Sequence, residues 1–190
     1  MRDKCILPFL ITERLEFFQL TQADLPELEI LLGDTEIMYA WEHGFTKIES
    51  QAWLNENLRR YSSDGYSYWA VRKKNDGSLI GVMGILKEVA EGKQYIGIGY
   101  ILNKKYWGQG YAGEGTEALC QYAFRKLQLQ TLTAQVRTNN FASQHIAEGL
   151  GMKAMCNFVK IYRGQEMPHF LYTLDRDKWL KTASNGTVIM

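Results

Sequence analysis

The residues with the most chemical content lie in the run WGQGYAG, Trp107 to Gly113, where Gly108, Gly110 and Gly113 fall within six residues. No large β-branched side chain stands between Gly108 and Thr116. That composition suits a place where backbone N–H groups come close to a bulky anion. A helix N-terminus supplies such groups, because its first N–H donors have no partner inside the helix and the macrodipole adds about half a positive charge. The stretch reads either as a phosphate or pyrophosphate cradle or as a strand–turn–helix connection that uses glycine for its φ angles. It lacks the G-K-[ST] that carries a terminal phosphate and Mg²⁺. It meets the G-x-G-x-x-G spacing, but the next strand-like run, Leu132 to Val136, ends in Arg137, where a dinucleotide fold carries an acid.

The elements that must position this turn follow from periodicity. Gln94 to Leu102 reads as a strand running into the turn, with Gly97 and Gly99 inside it. Glycines there open a slot in the sheet or make room for a large neighbour such as Trp69. From Gly110 a heavily apolar helix runs to about Leu127. Upstream, residues 10 to 20 read as a strand. Thr21 caps a helix closed by Gly33, and a second helix spans Lys47 to Tyr61. Strands follow at 66–74 and 79–89, joined at Asn75-Asp76-Gly77. Downstream come a strand at 132–136, a short helix from Ser143 to Gly149, strands at 155–162 and 169–174 joined by Arg163 to Glu166, and a last helix from Asp175. This order predicts a mixed α/β sheet, mostly antiparallel, with helices on both faces. One domain over residues 1–181 and a loose tail over 182–190 are expected.

Composition is ordinary for a globular chain, with 46% apolar and 23% charged residues. A net charge of +1 gives no field that would favour nucleic acid or membrane as a partner. Cys5, Cys120 and Cys156 are odd in number and widely spaced, so they suggest neither a metal site nor a disulfide framework. The six-residue run ILPFLI is too short for a signal core, and a reducing, cytoplasmic setting is the expectation.

Four segments resemble the GNAT N-acetyltransferases, and within them the RimJ/RimL-like branch. TERLEFFQLTQADLPELEILLGDTEIM is similar to the opening of that branch, and WAVRKKNDGSLIGVMGI to its central hairpin. IGYILNKKYWGQGYAGEG is similar to its acetyl-CoA motif, W-G-x-G-Y-A followed by Glu. VRTNNFASQHIAEGLGMK is similar to its V…N..S…E.LGF segment.

The resemblance implies the GNAT fold with splayed strands, acetyl-CoA as cosubstrate without a metal, and transfer of acetyl to a primary amine in a ternary complex. The acceptor is a protein N-terminus or a small amine. It also implies that pantetheine pairs along Tyr100, Ile101, Leu102 and Asn103, with backbone N–H groups around Ile101 and Leu102 as oxyanion donors. The pyrophosphate would rest on Trp107, Gly108, Gln109, Gly110, Tyr111, Ala112 and Gly113, and Asn140 would touch the arm near the thioester. Ser143 matches the serine that lies near sulfur as a general acid, a role that competes with N-capping the short helix. For the base the sequence departs from the family. Gly97 stands where many relatives have Glu, and Lys160 stands where some have another acid. Glu42 and His43, in the loop that borders the acceptor site in this family, are the candidates, imidazole being a common general base. Trp41, His43, Phe45, Tyr66 and Tyr68 line an acceptor pocket or pack the core. Gly97 also leaves open a catalytically silent acetyl-CoA-binding protein. Assembly is expected to be monomeric or homodimeric.

Overall fold

The computed structural model describes residues 7–182. Cys5 and the tail expected after Thr182 lie outside the described residues. The chain builds an eight-stranded sheet in the order β1-β2-β3-β4-β5-β6-β8-β7. The strands are β1 (Leu10–Ile11), β2 (Leu15–Gln19), β3 (Tyr68–Lys73), β4 (Leu79–Ala90), β5 (Lys93–Leu102), β6 (Thr131–Arg137), β7 (Lys153–Tyr162) and β8 (Gln165–Asp175). All neighbouring pairs are antiparallel except β5 and β6.

Helices cover both faces. On one face α1 (Leu25–Gly33) and α2 (Lys47–Ser63) bury Leu28, Leu32 and Leu54 against Ala70, Val82 and Ile101. On the other, α3 (Tyr111–Arg125), α4 (Phe141–Gly149) and α5 (Arg176–Thr182) bury Leu119, Phe124, Ala147 and Trp179 against Phe17, Ile85 and Leu132. Gly115 sets how closely α3 approaches the sheet, since a β-carbon there would collide with Met83.

Several boundaries differ from the sequence reading, each for a local reason. The strand expected over 10–20 breaks at Thr12, whose amide donates to the Leu15 carbonyl (2.9 Å) and turns the chain. The first helix divides at Leu25, after a 3₁₀ turn in which Asp24 accepts from the Thr21 amide (2.8 Å). The short helix starts at Phe141 because Asn140 caps it, its Oδ1 accepting from the Ser143 amide (3.0 Å). Ser143 is therefore not its N-cap. The last hairpin turns on two residues, Arg163 (φ 51°) and Gly164 (φ 78°), the left-handed pair of a tight turn, so β8 starts at Gln165.

The sheet splits in its middle. β5 stays paired with β4 over its whole length, from Gly81↔Leu102 to Ala90↔Lys93. Its ladder with β6 holds one partner pair, Gly97↔Thr133. Beyond Gly97 the two strands part and leave one edge of β5 without a strand. Gly97 and Gly99 do not break β5, and Trp69, packed in the core of the opposite face, is not their neighbour. Their missing β-carbons leave space for Glu88 and for the Tyr68 hydroxyl.

Candidate active site

The glycine turn ends in α3. Gly108 (φ 70°) and Gly110 (φ 80°) are left-handed, a conformation glycine adopts without steric cost. The first bond of the helix runs from the Glu114 amide to the Gly110 carbonyl (3.0 Å). The N–H groups of Tyr111, Ala112 and Gly113 precede it and have no helical partner. Nothing lies within 4 Å of where a β-carbon on Gly108 or Gly113 would point, so the approach to these amides is open.

Arg14 braces the turn. Its side chain donates to Glu114 (Nε–Oε2, 2.6 Å) and to the Gln109 carbonyl (Nη1, 3.0 Å), and it lies 4.3 Å from the centre of the Tyr111 ring. Burial alone would raise the Glu114 carboxyl, but hydrogen bonds from Thr12 and Arg14 hold it below the usual carboxylate range.

The open edge of β5 continues from this turn. Asn103 donates its amide to the Ile80 carbonyl (2.8 Å), so Asn103 faces β4. In an antiparallel pair the facing alternates, so Ile101 also faces β4, while Tyr100 and Leu102 point their peptide groups into the splay. The Leu102 carbonyl is taken by the Trp107 indole N–H (2.9 Å). That leaves the amides of Tyr100 and Leu102 and the Tyr100 carbonyl facing the gap. These groups, with Tyr111 to Gly113, line a groove of about 540 Å³.

A second cavity, about 240 Å³, meets the groove at Trp41, Tyr100, Asn140 and Ser143. The Tyr100 hydroxyl and Ser143 Oγ are hydrogen-bonded at 2.9 Å, and burial pushes Tyr100 up to about 12. The cavity then passes through the split to the sheet face under α1 and α2, where Tyr68, Glu88, Arg137, Lys160 and His169 border it. Burial raises Glu88 above the usual carboxylate range, against the charges of Lys160 and Arg60. Burial lowers Lys160, opposed by Glu88. Burial also lowers His169, which bonds the Met167 carbonyl through Nδ1 (2.7 Å). Two buried polar atoms of cavity residues, Arg137 Nε and Gln135 Oε1, have no hydrogen-bond partner among the described residues.

The structure brings most of the expected residues to one place. Tyr100, Ile101, Leu102, Trp107, Gly108, Gly110, Tyr111, Ala112, Gly113 and Asn140 line the groove, with Ser143 at its junction with the cavity. Asn103 and Gln109 do not line it. Asn103 Oδ1 accepts from the Lys105 amide, and Gln109 Nε2 donates to the Lys105 carbonyl. Lys104 pairs with Glu36 (2.6 Å), and Lys105 lies over the Tyr106 ring.

Glu42 and His43 border neither the groove nor the cavity. Glu42 Oε1 accepts from Arg137 Nη2 (2.8 Å). His43 bonds the Trp41 carbonyl (3.1 Å) and Glu49 (3.2 Å) and stacks on Tyr162. Of the expected aromatic pocket, Trp41 and Tyr68 border the cavity, whereas Tyr66 and Phe45 pack in the cores. Sequence reasoning missed Glu88. The available signal was alternation along β4, which puts this acid on one face with Val82, Gly84 and Leu86.

The sheet thus splits between β5 and β6, and a glycine turn leading into the N-terminus of α3 follows directly after the split. The sequence matches the model of the acetyltransferase (GNAT) domain over residues 14–153, and the chain belongs to the GNAT acetyltransferase family. It is 30% identical over 164 residues to the uncharacterized protein YkkB of Bacillus subtilis, covering 86% of this chain and 93% of that one. Its fold is similar to that of a GNAT-family acetyltransferase from Bacillus anthracis, with a TM-score of 0.76, 22% identity and coverage of 88% and 98% of the two chains. It is also similar in fold to a spermidine N-acetyltransferase from Vibrio cholerae solved with CoA and spermine, with a TM-score of 0.72, 19% identity and coverage of 87% and 98%.

Proposed function

We propose that this chain is an acetyl-CoA-dependent N-acetyltransferase of the RimJ/RimL-like branch, acting in the cytoplasm on a primary amine that carries a carbonyl or carboxylate close by, as a peptide N-terminus does. The observation that carries this reading is the meeting of groove and cavity at Tyr100 and Ser143. One opening suits a long cosubstrate and the other its acceptor.

The residues present fit acetyl-CoA. The free amides of Tyr111, Ala112 and Gly113 suit a pyrophosphate. The unpaired edge of β5 at Tyr100 and Leu102 suits an extended amide-bearing arm, which adds to a sheet edge as a strand does. When bound, acetyl-CoA supplies an acetyl group activated as a thioester. The chain's own residues do the rest. The Leu102 amide donates to the carbonyl oxygen as it gains charge. Ser143, relayed by Tyr100, donates a proton to the departing sulfur. Arg137 Nε, buried without a partner among the described residues, supplies a donor for the acceptor's carbonyl or carboxylate. Arg137 and Lys160 also make the cavity a poor host for a polycation, which supports an acceptor with one ammonium.

Initial rates with acetyl-CoA and a responding amine varied together test this reading. Intersecting lines are expected for direct attack in a ternary complex. Parallel lines would contradict it, since they report an acetylated enzyme.

A further inference from the structure

We propose that Glu88 is the catalytic residue that takes the proton from the acceptor amine, and that Gly97 is kept small to house its carboxylate. The proposal rests on the acetyltransfer reading above and names the base for that same site.

The placement comes from the register of two strands. Leu86 is opposite Gly97, and Gly84 is opposite Gly99. Three glycines thus share the sheet face under α1 and α2, and Glu88 extends from the same face of β4. The Tyr68 hydroxyl fills the space over Gly99, 2.6 Å from where a β-carbon would sit. Over Gly97, the three atoms nearest to such a β-carbon all belong to Glu88, with its carboxyl carbon at 3.0 Å. Any side chain at residue 97 would expel the Glu88 carboxylate from its seat.

The carboxylate borders the cavity that Ser143 and Tyr100 also border. Burial and the charges of Lys160 and Arg60 act on it, and no hydrogen bond reaches it from the described residues. Its oxygens are thus open to a proton arriving from the cavity. The groups that face Glu88 come from three elements: Lys160 on β7, Arg60 on α2 and the Tyr68 hydroxyl on β3. The two cations favour the ionised form, which a base needs at rest, while burial raises its proton affinity toward that of a useful acceptor.

The acceptor enters as an ammonium ion, and Glu88 removes one proton. The freed nitrogen lone pair forms the N–C bond as the C–S bond breaks. The second amine proton passes to the Ser143–Tyr100 pair and replaces the one that this pair gives to sulfur. Glu88 returns its proton to water, so amide, free thiol and one released proton are the products.

Glu88→Gln keeps the shape and removes the base. Its kcat with a responding amine should fall about 100-fold or more. Calorimetric affinity for acetyl-CoA and the melting temperature should stay unchanged, and the acid limb of the pH–rate profile should move up to follow the acceptor's own ammonium ionisation. Glu88→Ala combined with Gly97→Glu returns a carboxylate from the neighbouring strand into the vacated space. It should recover activity about tenfold over Glu88→Ala alone.

Wild-type turnover and an unchanged pH profile in Glu88→Gln would overturn the proposal. A loss of acetyl-CoA affinity or of the folded state together with the rate would overturn it by making Glu88 structural. So would a double variant that folds and binds acetyl-CoA without recovering rate. A wild type silent toward every amine would remove the acetyltransfer reading and this proposal together, and is recognised before any substitution is made.

Discussion

Glu114 and Arg14, 100 residues apart in sequence, meet at 2.6 Å between Oε2 and Nε. The contact joins the opening TERL segment to the glycine turn. Thr12 adds a hydroxyl donor to Glu114 Oε1 (2.5 Å), and the Arg14 amide a second (2.9 Å). Glu114 in the first turn of α3 therefore serves the fold of the turn, while the amides ahead of it remain free.

Glu114→Gln should weaken acetyl-CoA binding about tenfold, or about 1.4 kcal/mol, by loosening the Arg14 brace. Calorimetry measures this. The folded carboxyl is held low, so its contribution to stability is present above the unfolded value of about 4.3 and is lost as pH falls through the folded value. Wild type should lose more stability on acidification than Glu114→Gln, as read by melting temperature against pH. Equal acid sensitivity would contradict the brace.

Lys160→Met tests the electrostatics around Glu88. The Lys160 charge lowers Glu88, opposing burial, which raises it. Without that charge the carboxylate should protonate at higher pH, and the acid limb of the pH–rate profile should move up by about one unit. A limb that stays in place or moves down would show that Lys160 does not act on the base.

Arg72→Met tests the attachment of α1 to the sheet. Arg72 on β3 pairs with Asp24 at 3.1 Å and with Glu27, and the Asp24 side chain is 1% exposed. Removing the cation leaves a buried carboxylate short of its opposite charge, at a cost of about 3 kcal/mol. Denaturant unfolding should show that loss at neutral pH. An unchanged unfolding midpoint would place the pair among those that contribute nothing.

The turn and its helix were legible in the sequence because their causes are local. Left-handed glycines and a first helical turn act within a few residues of Gly108 to Gly113. The order of strands along the chain was legible for the same reason, from alternation and from the turns at Asn75-Asp76-Gly77 and at Arg163 to Glu166. Asn103 and Gln109 were expected beside the cosubstrate; their side chains instead close hydrogen bonds within their own loop. His43 was drawn to Glu49, whose place in the Thr46 capping box was readable from TKIE. Glu88 was hidden because its meaning depends on the register of β4 against β5. Only that register sets an acid beside a glycine nine residues further along the chain. Gly97 alone read as a missing base; in the structure its missing β-carbon is the space that the Glu88 carboxylate of the adjacent strand occupies.

The most direct test of the acetyltransferase account is thiol release from acetyl-CoA over a panel of free-N-terminal peptides, amino acids, polyamines and aminoglycosides. The account predicts amine-dependent release, greatest for acceptors with a carbonyl or carboxylate beside the amine and weak for polyamines. Bound acetyl-CoA with no amine-dependent release across the panel would contradict it and leave an acetyl-CoA-binding protein without transfer activity.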